Sequence, residues 1–66
     1  MAYLTAQRIL YGGNKQELSR QTGIALRTLF NRQNSPEKTT IQELAYIAKA
    51  RGLSGAEVME ILEDLA

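Results

Sequence analysis

Apolar residues recur along the chain at helical intervals, and no stretch alternates in the manner of a strand, so the pattern predicts five helices. The first covers about Ala2 to Tyr11, with Leu4, Ile9 and Leu10 as its apolar residues and Tyr3 and Tyr11 near its ends. Gly12-Gly13 stops it, because paired glycines weaken a helix and permit positive φ. The second opens at Asn14, a strong N-cap with Glu17 three residues later, and runs from Lys15 to Gln21 with Leu18 inward. Thr22-Gly23 ends it, Gly23 being suited to a left-handed C′ position. The third runs from about Leu26 to Arg32 or Gln33, with Ile24 ahead of it and Leu29 turned to the same core. Residues 33–39 form a loop, since Pro36 biases Ser35 away from the helical region.

The last two helices carry clearer signals. Thr40 with Glu43, and Ser54 with Glu57, have the spacing of capping boxes. Ile41, Leu44, Ala45 and Ala48 form the apolar stripe of the fourth helix, and Ile47 widens it. Lys49 and Arg51 suit its last turn, Gly52 its C′ stop, and Leu53 the apolar residue that follows. Val58, Ile61, Leu62 and Leu65 form the stripe of the fifth helix, with Met59 beside it and Glu57, Glu60, Glu63 and Asp64 on the remaining arc. That stripe either closes the core or supplies a dimer contact, for which Val58, Met59, Ile61, Leu62 and Leu65 are the candidates. Tyr3, Tyr11 and Tyr46 are expected to be partly buried or at the surface, and Phe30 to serve packing.

Sixty-six residues make one domain, 1–66, and one this small buries only about 60% of its unfolded surface. Cysteine and histidine are both absent, which removes disulfides, thiolate metal sites and the commonest general base. Gly12-Gly13-Asn14-Lys15 lacks the spacing of a phosphate loop, and the acids of the fifth helix have no partner set, so no enzymatic activity, cofactor or small-molecule ligand is expected. Neither a membrane span nor a signal peptide can be read, and a cytoplasmic protein is the default.

The net charge of +1 conceals an asymmetry. Residues 1–54 hold all eight basic groups against three acids, a balance of +5, whereas residues 55–66 carry four acids and no base. A basic body with an acidic terminal helix suits a protein that turns one face to a polyanion. Two short helices with a glycine-containing turn (about 15–32) would leave the second protruding, and its Arg27, Thr28, Asn31 and Arg32 suit a DNA major groove.

The run Leu18-Ser19-Arg20-Gln21-Thr22-Gly23-Ile24-Ala25-Leu26-Arg27-Thr28-Leu29 resembles the Cro/repressor-like helix-turn-helix family of phages and bacteria. Pro36, Thr40, Leu44, Ile47-Ala48-Lys49-Ala50, Gly52-Leu53 and Ser54 fall where that family has its fourth helix and the start of its fifth, so the resemblance covers roughly residues 5–62. It implies an all-α five-helix bundle binding double-stranded operator DNA as a homodimer, with Leu26, Arg27 and Asn31 reading bases. Phosphate contacts would come from Asn14 and Lys15 and from Gln33, Asn34 and Lys38, with Thr28 and Arg32 as further candidates. The chain departs from the family at Ala25, where a Ser or Thr cap is usual, and at Leu26, often polar in relatives. It departs again at Arg32-Gln33, where an aromatic–acid pair is common. The expected role is a transcriptional regulator controlled through its abundance or a partner. The alternatives are a protein-interaction adaptor, antitoxin-like or anti-repressor-like, and a DNA-binding recombination accessory protein.

Overall fold

The computed structural model describes residues 3–66, and among them it is all-helical. Five α-helices, α1 (Leu4–Tyr11), α2 (Lys15–Thr22), α3 (Leu26–Asn34), α4 (Ile41–Arg51) and α5 (Gly55–Leu65), are joined by short turns, with one 3-10 turn at Pro36–Lys38. The expected start of the first helix at Ala2 lies outside the described residues. The second and third helices each run slightly further than their sequence signals suggest, to Thr22 and Asn34.

The caps explain most of these boundaries. Thr40 and Ser54 close full capping boxes: each hydroxyl accepts the N–H of the glutamate three residues on, and that glutamate accepts the cap's own N–H. At Asn14 only half of the box forms. Its side chain accepts the Glu17 N–H, but the Glu17 carboxylate pairs instead with Arg20 one turn on. α4 ends in a Schellman motif, with Gly52 left-handed at φ 62°, its N–H bonded to the Lys49 carbonyl and the Leu53 N–H to that of Ala48. α1 stops at the paired glycines as expected, with the positive φ falling on Gly13. Gly12 keeps a negative φ, and glycine is required there because a Cβ would lie 2.5 Å from the Arg8 carbonyl oxygen.

Every α-helix sends at least one side chain into the core, which comprises Ala6, Leu10, Tyr11, Leu18, Leu29, Leu44, Ile47 and Ile61. Tyr11 is a correction to its expected surface or half-buried position: it is fully buried, with its hydroxyl 2.6 Å from Thr39 Oγ1. Burial raises the pKa of its phenol, the Thr39 hydrogen bond opposing that rise. Ile61 is likewise fully buried, so it is a core residue and cannot serve as the dimer contact it was a candidate for. The stripe of α4 is also covered differently from expectation. Leu44 and Ile47 are buried, while Ile41 is 85% exposed and Ala45 faces solvent.

Polar ties join the ends of the chain. α5 packs chiefly on α1. The Asp64 carboxylate, expected on a solvated arc, accepts the Ala6 N–H at 3.0 Å in the first turn of α1. Tyr3, the residue at the N-cap, offers no side-chain cap of its own, so the acid from α5 complements the positive end of the α1 dipole. Arg51 donates to the Gly12 carbonyl at 2.6 Å, which fastens the α1–α2 connection to the end of α4. Its partial burial lowers the guanidinium pKa.

Truncating Ile61 to Ala should lower the unfolding free energy by about 2–5 kcal/mol, and Met59→Ala by no more than about 0.5 kcal/mol. Urea titration of the two variants at low protein concentration checks the contrast.

Candidate nucleic-acid interface

The rotation of α3 about its axis is set by Leu29, which is fully buried. At about 100° per residue, positions two before and two after an inward side chain point almost directly away from it. These are Arg27 and Asn31, and both are exposed. Phe30 and Asn34 share the same outward arc. Leu26 and Thr28 are half-buried at its margins. No acidic residue occurs in α3.

The approach to α3 is a three-residue turn, Gly23-Ile24-Ala25. Gly23 is left-handed at φ 77°, a conformation that a side chain would strain. The Thr22 hydroxyl donates to the Leu18 carbonyl and accepts the Ile24 N–H, and the Ser19 hydroxyl donates to the Ile24 carbonyl. Ile24 packs against the core. The turn is thus held by side chains of α2, which fixes where α3 begins despite the missing cap at Ala25: no side chain bonds the first amides of α3.

The phosphate candidates divide into two groups. Asn14, Lys15, Asn34 and Lys38 reach the surface at least in part, Asn14 with its side-chain oxygen engaged in capping. Lys15 holds its ammonium 5.2 Å from the centre of the Phe30 ring, linking the N-terminus of α2 to the outward arc of α3. The Gln33 carbonyl accepts from the Gln7 side chain at 2.7 Å, an anchor of α3 on α1.

Arg32 is placed differently. It turns towards α4, where its Nε lies 3.0 Å and its Nη2 3.4 Å from the two carboxylate oxygens of Glu43. The pair is largely covered, with side-chain exposures of 24% and 17%. The guanidinium expected at phosphate is therefore an internal strut between α3 and α4. Desolvation works against the Glu43 carboxylate, but the Thr40 N–H and the Arg32 hydrogen bond and charge outweigh it, so its pKa falls below the ordinary glutamate value.

Phe30, expected to serve packing, is 50% exposed on the arc with Arg27 and Asn31. The register relative to Leu29 carries that information, since an adjacent residue is turned about 100° away from the core direction. Comparison with protein-family models, with curated proteins and with solved structures finds no match for the chain.

Because the folded Glu43 pKa is depressed, its contribution to stability is fully present above the ordinary glutamate range. It is lost as pH falls through the lower folded value. The stability gap between the wild type and Glu43→Gln should therefore narrow on acidification, as urea titrations at neutral and acidic pH would reveal. A gap independent of pH would contradict the Arg32–Glu43 strut.

Proposed function

We propose that the chain binds double-stranded DNA by laying α3 in the major groove, as a transcriptional regulator on a two-fold operator. The observation that carries this reading is the outward arc opposite Leu29, where Arg27 and Asn31 stand exposed on a helix without acids. Arg pairs bidentately with guanine O6 and N7, and Asn with adenine N6 and N7, so this arc has the donors and acceptors that distinguish base pairs. The half-exposed ring of Phe30 offers an apolar contact to a thymine methyl beside them.

Electrostatics supports the same orientation. Lys15 at the start of α2 and Lys38 in the 3-10 turn are available to phosphates, and the free N–H groups of a helix N-terminus favour an anion. Of the nearby acids, Glu17 pairs with Arg20 at the surface and Glu43 with Arg32 under cover, while Glu37 is exposed beside Lys38. Two copies on a two-fold site would set their α3 helices one turn of DNA apart, about 34 Å.

Selection from random duplexes at two salt concentrations tests the reading. The wild type should enrich a motif with inverted half-sites. Arg27→Ala should cost about 1–3 kcal/mol on that site and relax one position of each half. Lys15→Ala should weaken binding to all sequences alike and reduce the salt slope by about 1. If no motif is enriched and the binding vanishes at moderate salt, the regulator reading fails, leaving a protein-binding role.

A further inference from the structure

The first residue of α2 meets the middle of α3 at the surface. The Lys15 ammonium lies over the face of the Phe30 ring, 5.2 Å from its centroid. The ring is 50% exposed and Lys15 is half-buried. α2 and α3 pack together, and Leu29, the neighbour of Phe30, is fully buried, so the core fixes the ring's place on the outward arc. We propose that Phe30 is a positioning residue for Lys15: its ring holds the ammonium beside the reading arc, ready for a DNA phosphate. This rests on the DNA reading and adds to it a side chain that sets affinity by acting through another.

A lysine at this position works against its own helix. The first turn of α2 is the positive end of the helix dipole, which favours an acid and opposes a cation. Free in solvent, the flexible stem of Lys15 would also sample many rotamers, and a phosphate would have to order it at an entropic cost. The Phe30 ring offsets both effects. Its negative π face attracts the ammonium, and the contact confines the stem before any ligand arrives.

An acid in place of the ring would hold Lys15 as well, but it would cancel the charge and compete with phosphate for it. Among the described residues no carboxylate pairs with Lys15: Glu17, in the same first turn, is bound by Arg20, and Glu43 by Arg32. The ring leaves the positive charge in place. An ammonium has three donors, so a ring against one side leaves donors on the other for phosphate oxygens. Phe30 thus enters two contacts of different kinds. Its exposed half is open to a thymine methyl, which depends on sequence, and its face holds a cation for the backbone, which does not. Two substitutions separate them. Phe30→Leu keeps an apolar side chain for the methyl and removes the π face; Phe30→Tyr keeps the ring.

Proton NMR of the free chain, together with binding to the enriched site and to duplexes of random sequence, tests the proposal. In the free chain the side-chain methylene protons of Lys15 should be displaced upfield by the ring current. That displacement should be absent from Phe30→Leu and kept in Phe30→Tyr. Phe30→Leu should weaken binding about two- to fivefold, the size of an exposed cation–π contact, and equally on enriched and random duplexes. Its salt slope should stay at the wild-type value, because the charge is still present. Phe30→Tyr should recover most of the affinity. In a Lys15→Ala background Phe30→Leu should have no further effect on random duplexes, whereas a general loosening of the fold would act equally in both backgrounds. Methylene protons at their ordinary positions overturn the contact. A chain that binds duplexes but shows equal losses in both backgrounds overturns the positioning role alone. A wild type that shows the displacement yet binds no duplex overturns the DNA reading, and the phosphate role of Lys15 with it, while the contact itself stands.

Discussion

Leu29 is the residue on which the rest of the arrangement turns. Fully buried, it fixes α3 in rotation, and α3 in turn packs against both α1 and α2. A helix of nine residues has little stability of its own in water. It persists here because Leu29 and Ile24 are held by the core and because Ser19 and Thr22 secure the turn before it. With one face committed to the core, the opposite arc is free for solvent-facing side chains. The packing of the interior and the composition of the exposed arc are thus consequences of the same register.

Charge follows a related division of labour. Glu43 caps α4 and holds Arg32, and Asp64 closes the first turn of α1. Each acid satisfies backbone or guanidinium donors that would otherwise lose hydrogen bonds on folding. Arg51 similarly spends its charge on the Gly12 carbonyl. On and around α3 stand Arg27, Lys15 and Lys38, with Glu37 exposed beside Lys38, whereas Glu60 and Glu63 lie exposed on α5. The structural and the proposed functional uses of charge are therefore separated in space, although the chain is nearly neutral as a whole.

Small size has a further consequence. A domain of this length buries a limited share of its apolar surface, and here α4 and α5 each leave part of an apolar stripe outside. Ile41 and Leu62 are the residues that bear this excess. Large exposed aliphatic side chains gathered around one groove between α4 and α5 differ from apolar residues scattered singly over a surface.

Local chemistry made much of this legible in the residues themselves. Asn14, Thr40 and Ser54 mark helix starts, and Gly23 and Gly52 mark stops, because caps and left-handed turns depend on groups a few positions apart. The all-helical class and the outward placement of Arg27 and Asn31 follow from periodicity around Leu29. Tertiary structure alone decided the rest. Whether Ile41 or Ile47 is covered depends on where α1 and α2 lie, and the Tyr11 hydroxyl finds its partner in Thr39, 28 residues away. Arg32 meets Glu43 and Asp64 meets Ala6 only once helices distant in sequence are packed together. A stripe at helical spacing specifies that a face is apolar; which neighbour covers it, and how much is left over, is set by the assembly of the helices.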